Sequence, residues 1–222
     1  MDLSQNQLQR LIAIAKDRLE ADCSCHDWDH TRRVLNTALA LGRQENADSS
    51  VLTAAAVLHD IARPQEMADQ GKTDHAVLGA RQAAEILRQE DIGDDVWRDH
   101  VTACIRTHRY RNRSGEIPAS IEARVLYDAD KLDSLGAIGL ARAFHFAGKT
   151  GARVHNSREE ALSGQSYGRE DSALREYLVK LQYLPDAMLT AAGKRAAQSR
   201  HQFMVEFFQQ LDQECFGKSG LV

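Results

Sequence analysis

The stretch SSVLTAAAVLHDI, residues 49–61, decides the fold class of this chain. Apolar residues from Val51 to Leu58 surround the helix that this stretch would form, which is typical of a helix at the centre of a core. The serines at its start are residues that cap helices. We therefore predict a buried helix over residues 49–61, with the polar pair His59 and Asp60 near its end.

Helical periodicity continues on both sides of this stretch. Apolar residues recur at three- and four-residue spacing over residues 8–41. Asp74 and Asp94 are placed to cap two further helices. The predicted helices cover 75–89, 95–108, 120–146 and 185–211, the third as two helices that meet near Asp130. The polar stretches 62–73, 109–119 and 148–169 are predicted loops. The fold class is therefore all-α, a helical bundle.

The composition excludes several classes of protein. The chain has 222 residues, 43% of them hydrophobic and 27% charged, which argues against disordered and fibrous chains. One core suffices for this length, so we predict a single domain over residues 1–222. A net charge of -4 gives no general attraction to nucleic acid or to an anionic membrane.

The sequence also indicates where the protein is located and whether its cysteines are oxidised. We find no membrane-spanning run, and the N-terminus resembles an amphipathic helix more than a secretory signal. We therefore expect a cytoplasmic protein without membrane or nucleic-acid partners. The chain has four cysteines, too few and too scattered for a disulfide framework, so we expect them to be reduced.

The His59 and Asp60 pair interrupts the most apolar helix with two polar side chains, whose burial without partners is costly. His30, early in the preceding helix, and Asp130, in YDADKLDSLGAIGL, are polar interruptions of the same kind. Together they supply two imidazoles and two carboxylates. Nitrogen and oxygen ligands without thiolate suit Mn²⁺, Mg²⁺, Fe, Zn²⁺ or Co²⁺. We predict a divalent metal site at His30, His59, Asp60 and Asp130.

These residues and their flanking sequences resemble the HD-domain metal-dependent phosphohydrolase superfamily, whose pattern is H…HD…D on a helical bundle. HDWDHTRRV looks like the first motif, LHDIARP the second and DADKLDSLGAIGLARAF the third. The resemblance covers about residues 20–215. The sequence of the third motif is most similar to that of small stand-alone bacterial HD hydrolases. It implies an HD-domain helical bundle and an enzyme that cleaves phosphoester or phosphoanhydride bonds.

Other histidines fall outside this pattern. His75 and His108 stand where some HD proteins supply ligands for a second metal ion, so we keep them as candidates for a second metal or a substrate contact. His26 and the remaining histidines have no such context, and we expect them at the surface or in the core. Cys23, Cys25 and His26 form a C-x-C-H cluster, but without a second cysteine pair we do not expect a zinc site there.

Basic residues near the motifs suit a phosphorylated substrate, because a metal ion alone does not neutralise a di- or triphosphate. We assign substrate binding to Arg63, Lys131 and Arg109, and a catalytic role to Asp60, Lys131 and Asp133. Arg109 belongs to an arginine-rich loop that also contains Arg106, Arg111 and Arg113. A solvated charged loop is the alternative interpretation of that loop.

The activity we expect is hydrolysis of a nucleotide by a metal-activated water, in which Asp60 orients the water or takes its proton. The resemblance favours a nucleoside triphosphate pyrophosphohydrolase. A nucleoside 5′-monophosphatase, a cyclic-nucleotide phosphodiesterase and a two-metal oxygenase stay open, as does a metal-stabilised module that binds a nucleotide or a partner without turnover. The expected partner is a small phosphorylated molecule, and a homodimer is compatible with the sequence.

Overall fold

The computed structural model describes residues 3–19, 26–109 and 116–217. Over these ranges the chain forms helices and their connections, without a strand, which confirms the all-α fold class. The chain divides into two compact units, Met1–Asp130 and Lys131–Val222, which we describe one at a time. The single domain stays a prediction.

The first unit contains six helices and most of a seventh, which continues two residues beyond it. They are α1 (Gln5–Leu19), α2 (Trp28–Glu45), α3 (Ser49–Leu58), α4 (Arg63–Ala68), α5 (His75–Gln89), α6 (Asp95–Thr107) and α7 (Ile121–Leu132). Helix α3 contacts α1, α2 and α6, and α5 packs on α6. As predicted, α3 is the central helix.

Burial explains the position of α3. Every residue from Ser50 to Leu58 is buried except Thr53, so the helix is surrounded by protein. Its polar start is satisfied internally, because Trp97 donates its indole hydrogen to the Ser50 hydroxyl, 3.0 Å away. The predicted serine cap is wrong: Asp48 caps the helix by accepting from the backbone N–H groups of Ser50 and Val51.

Aspartates also start three other long helices of the first unit. Asp27, Asp74 and Asp94 cap α2, α5 and α6, each accepting a backbone N–H from the first turn. The caps at Asp74 and Asp94 were predicted. These caps fix where each helix begins, and therefore where its first side chains point. Two of the candidate metal ligands, His30 and His75, lie in such first turns.

The second unit contains α8 (Gly136–Lys149), α9 (Arg158–Ser163), α10 (Ala173–Val179), a 3-10 turn (Leu181–Tyr183), α11 (Leu184–Ala187) and α12 (Ala191–Phe216). Helix α8 contacts both α12 and α10. The buried rings of Tyr177 and Phe208 pack with their centroids 4.9 Å apart, which joins α10 to α12.

Several predicted boundaries are wrong. The last helix begins at Ala191 instead of Pro185, because the chain turns extended at Met188 and Thr190 then caps the new helix. The stretches predicted as loops over 62–73 and 148–169 contain α4 and α9. The second of these is held by buried Asn156, whose side chain donates to the backbone and carboxylate of Glu170. None of the helices in the described ranges is both long and apolar enough to cross a membrane.

Candidate metal centre

Four helix ends of the first unit meet around Asp60. His30 lies in the first turn of α2, and His59 and Asp60 follow α3. His75 is the first residue of α5, and His108 caps the end of α6. All five residues are at most 3% exposed, so their polar atoms face one another instead of water.

One oxygen of Asp60, Oδ2, faces the residues predicted to bind the first metal. The Nε2 atoms of His30 and His59 both lie 3.6 Å from it, and they lie 3.4 Å from each other. Asp130, in α7, places Oδ1 3.4 Å from His30 Nε2. Ligand atoms of His30, His59 and Asp130 lie within 4.8 Å of one another, close enough to hold one ion.

The other oxygen, Oδ1, faces a second group of imidazoles. His75 Nε2 lies 3.2 Å away and His108 Nε2 lies 3.5 Å away, with 3.2 Å between the two nitrogens. The structure therefore brings the candidate second-metal residues to the same carboxylate as the first group. Asp60 lies between the two groups.

Hydrogen bonds define which ring nitrogen carries a hydrogen in the neutral imidazoles. Nδ1 of His59 lies 2.8 Å from the Ala56 carbonyl, and Nδ1 of His108 lies 2.6 Å from the Ile105 carbonyl. Nδ1 of His75 lies 2.8 Å from a Glu66 carboxylate oxygen. Since these oxygens only accept, each Nδ1 donates, which leaves a lone pair on each Nε2.

This arrangement fits a divalent cation. Around Oδ1 of Asp60, His75 Nε2 and His108 Nε2 are acceptors with no hydrogen between them when the rings are neutral. A single proton satisfies only one such pair, whereas a metal ion accepts electron pairs from all three atoms. Around Oδ2, His30 has at most one Nε2 hydrogen for the nearby acceptors of His59, Asp60 and Asp130. The donor set of imidazole and carboxylate is that of a divalent transition metal.

Burial and neighbouring side chains shift the pKa values of His59 and Asp60. Burial lowers the pKa of His59 to about 4, because the charged imidazolium is poorly solvated there. Burial would raise the pKa of Asp60, but the neighbouring imidazoles of His59, His108, His26 and His75 outweigh it and hold that pKa well below its ordinary value. A neutral imidazole beside a carboxylate is the protonation state that binds metal.

His26 also lies in this cluster, contrary to the prediction. Its Nδ1 lies 3.0 Å from Asp60 Oδ2, and its ring packs edge-on against His30 with centroids 4.9 Å apart. Burial is the main cause of its lowered pKa. His26, His30 and Asp60 form a further group able to hold an ion. Cys23 and Cys25 of the C-x-C-H cluster lie outside the described residues.

Glu66, which the sequence analysis missed, organises the side of the cluster beyond His75. It is 5% exposed and accepts from His75 Nδ1 and, at 2.7 Å, from Arg63 Nη1 through one oxygen. Its other oxygen accepts from Arg109 Nη1. The only signal for Glu66 was its position six residues after Asp60, in a stretch that was predicted to be a loop.

The remaining predicted site residues have other surroundings. Lys131 lies in the last turn of α7 and Asp133 follows it, both within the second unit, where buried Asp133 accepts from Arg142 at 2.9 Å. Their catalytic and substrate-binding roles stay predictions. Arg106 is paired with Glu116 through two hydrogen bonds of 2.6 and 2.8 Å. Arg111 and Arg113 lie outside the described residues.

Comparisons with known proteins identify the family of this chain. The HD domain family matches residues 27–135, a range that contains His30, His59, Asp60 and Asp130. YpgQ of Bacillus subtilis is 32% identical over 213 residues, which cover 95% of each chain.

Solved structures of HD-superfamily proteins are also similar to this chain over almost its whole length. The crystal structure of Bacillus subtilis YpgQ in complex with ADP is similar with a TM-score of 0.72 at 30% identity, over 96% of both chains. A HD-superfamily hydrolase from Bacillus thuringiensis gives a TM-score of 0.73 at 31% identity, over 96% of this chain and 99% of that one. With a relative of this identity along almost its whole length, and with its motif residues inside the matched domain, the chain belongs to the HD superfamily of hydrolases.

Proposed function

We propose that this hydrolase is a metal-dependent nucleoside triphosphate pyrophosphohydrolase, which releases pyrophosphate and a nucleoside monophosphate. One observation carries the proposal: a buried carboxylate, Asp60, lies between two groups of imidazole lone pairs. Such a cluster suits a cation that acts on a polyanionic substrate. The ADP complex of YpgQ supports a nucleotide as the ligand.

The cluster offers ligands for two ions. His30, His59, Asp60 and Asp130 would hold the first, and Asp60, His75 and His108 the second. We propose Mn²⁺ or Mg²⁺, with Mn²⁺ favoured, because Mg²⁺ prefers oxygen ligands and most of these donors are imidazoles. When bound, the metal supplies an activated water and stabilises the charge on a phosphoryl oxygen.

Asp60 is the residue that we assign to the attacking water. Its low pKa keeps it ionised, so it can accept a hydrogen bond from the water and orient it, while the proton of the water passes to the solvent. The oxygen of that water bonds to the α-phosphorus while the bond between the α-phosphorus and the bridging oxygen breaks. That oxygen leaves with the pyrophosphate, so one water is consumed for each triphosphate cleaved.

Cationic side chains bind the phosphate groups in this proposal. Arg63 and Arg109 lie beside His75 through their shared partner Glu66. Lys131, next to Asp130 in the chain, is assigned to the phosphates as well, and Asp133 to the support of a cationic side chain, as it supports Arg142 in the structure. These residues would bind and orient the triphosphate while Asp60 acts on the water.

A nucleotide panel tests the proposal. Purified protein is incubated with nucleoside tri-, di- and monophosphates and cyclic nucleotides in Mn²⁺ or Mg²⁺, and the products are identified by mass. We expect pyrophosphate and a nucleoside monophosphate from triphosphates alone. Inorganic phosphate from monophosphates would instead identify a 5′-monophosphatase, and opening of a cyclic nucleotide would identify a phosphodiesterase.

Two variants make this assay specific. Asp60→Ala should lose both activity and metal, measured by elemental analysis, while circular dichroism shows that the helices are retained. His145→Ala removes an exposed imidazole from α8 and should change neither. Unchanged metal content in Asp60→Ala would exclude Asp60 as a ligand.

A further inference from the structure

We infer that Glu66 is a positioning residue that presets Arg63 and Arg109 as a clamp for the pyrophosphate part of the substrate. The inference rests on the proposed function and adds to it a residue and a binding subsite. Three donors meet at this one buried carboxylate. Oε2 accepts from His75 and Arg63, and Oε1 accepts from Arg109.

Because His75 and both arginines donate to Glu66, this carboxylate fixes the positions of the two guanidinium groups relative to the cluster. Arg63 Nη1 lies 3.2 Å from His75 Nδ1, and because both atoms donate to the same oxygen, this short distance results from the shared acceptor. His75 in turn directs Nε2 to Asp60. One carboxylate thus connects two guanidinium groups to an imidazole that faces the proposed metal centre.

Each arginine keeps donors that no described residue uses. Both bind Glu66 through Nη1, and the Nε atoms of both are buried without a hydrogen-bond partner in the described part of the chain. No hydrogen bond from either Nη2 is seen within that part. Arg109 Nη1 has a second, longer contact of 3.8 Å with half-exposed Asp74, and this contact does not involve its Nε.

A buried guanidinium N–H without an acceptor is costly, so a partner for these atoms is expected in the working enzyme. The edge formed by Nε and Nη2 is the one that binds phosphate through two parallel hydrogen bonds. Two such edges, connected to His75 through Glu66, suit two phosphate groups in series. The ligand class is therefore a pyrophosphate group, carried by the triphosphate before cleavage and released afterwards.

Pyrophosphate binding tests the clamp without turnover. Isothermal titration of inorganic pyrophosphate into the metal-loaded protein should show binding about tenfold or more weaker in Arg63→Ala and in Arg109→Ala, since each loses charge-assisted hydrogen bonds. Arg63→Lys and Arg109→Lys retain the charge but not the fork, and should also bind more weakly than wild type. Thermal unfolding shows which variants are folded.

A matched control separates the clamp from general effects of removing a buried arginine. Arg98 is as buried as Arg63 and Arg109, with a side chain 14% exposed against 17%, but its Nε donates to the Ile92 carbonyl at 2.8 Å. Arg98→Ala should bind pyrophosphate like wild type. Equal losses in all three alanine variants would overturn the clamp.

Variants of Glu66 test its positioning role. Glu66→Gln keeps the shape but loses the charge, so we expect KM for the triphosphate to rise about tenfold, with a smaller change in kcat. Glu66→Asp keeps the charge and should recover part of this loss. Elemental analysis must show wild-type metal in Glu66→Gln; if the metal is lost in proportion to the rise in KM, Glu66 acts through His75 and the clamp is wrong.

The two proposals fail in different ways. If wild type releases no pyrophosphate from any nucleotide, but binding of inorganic pyrophosphate depends on Arg63 and Arg109, the proposed function is wrong and the clamp stands. If triphosphates are cleaved and neither arginine variant changes pyrophosphate binding or KM, the clamp is wrong and the function stands.

Discussion

The Nε2 atoms of His30 and His59 lie 3.4 Å apart, and both residues are fully buried. His59 presents a lone pair to His30, because its Nδ1 hydrogen is donated to the Ala56 carbonyl. Asp60 and Asp130 place carboxylate oxygens 3.6 and 3.4 Å from the same His30 nitrogen. One Nε2 hydrogen on His30 can satisfy only one of these three acceptors, and the others repel one another without a cation, so metal binding and stability are coupled.

Chelation should therefore destabilise the protein. A ligand that binds only the folded state at a hundred times its Kd contributes about 2.7 kcal/mol, which for a chain of this size raises Tm by about 5–10 °C. We expect a fall of this size on metal removal, measured by calorimetry, and recovery on adding Mn²⁺. Asp60→Ala serves as the control and should show no response to metal. An identical Tm with and without metal in wild type would contradict the coupling.

The number of ions per chain tests the second group of imidazoles. His75 and His108 repeat around Oδ1 of Asp60 the lone-pair arrangement that His30 and His59 make around Oδ2. We expect two ions per chain in wild type and one in His75→Ala and in His108→Ala, by elemental analysis after gel filtration. A single ion in wild type that neither change removes would leave these residues as substrate contacts.

Only the site residues that had a signal in their local sequence could be predicted. His30, His59, Asp60 and Asp130 stand out because each interrupts an apolar helical pattern, and the structure brings them together. His26 precedes α2, where no periodicity indicates which way a side chain points. Glu66 lies in a short helix within a stretch that is too polar to show helical periodicity.

Pairings across the chain had no local signal. Glu66 and Arg109 are separated by 43 residues, and their contact depends on the packing of α4 and α6 around α5. The false start of the last helix at Pro185 has a similar cause. Proline is favoured in the first turn of any helix, and nothing in its own sequence shows that α11 is only four residues long.

His26 should contribute to metal binding or to the reaction. Its imidazole contacts Asp60 Oδ2 at 3.0 Å while its side chain is 26% exposed, so it connects the cluster to the surface. Loss of a group that supports a metal ligand typically costs about 10–100-fold in metal affinity or activity, and we expect this from His26→Ala. Metal titration and initial rates measure it, with His145→Ala as the histidine control. Wild-type values for both would place His26 outside the functional cluster.

Acid should weaken the metal-free protein in a defined pH window. The pKa of His59 is about 4 when folded, against 6.5 when unfolded, so the unfolded chain binds the proton more readily. The stabilisation from a neutral His59 is complete above the unfolded pKa and is lost as pH falls from 6.5 towards 4. The free energy of unfolding should fall by about 2 kcal/mol between about pH 7 and pH 5.

Urea unfolding in the presence of chelator measures this pH dependence. His59→Asn removes the titrating ring, so its free energy of unfolding should vary less over the same range, whatever its absolute value. Equal slopes for wild type and His59→Asn would assign the acid sensitivity to other groups.

Helix α8 offers a test of packing in the second unit, far in sequence from the H and HD motifs. A Cβ atom at Gly139 would lie 2.2 Å from the backbone oxygen of Ser134, which cannot move without disturbing the turn before the helix. Overpacking of this kind costs about 1–3 kcal/mol, so Gly139→Ala should lower the free energy of unfolding by that amount.

Gly148, in the same helix, has no atom within 4 Å of its added Cβ. Gly148→Ala should be neutral or stabilising, since alanine favours the helix by up to about 1 kcal/mol over glycine. Chemical unfolding of both variants checks the contrast, and equal effects would show that the close approach at Gly139 is not what requires glycine there.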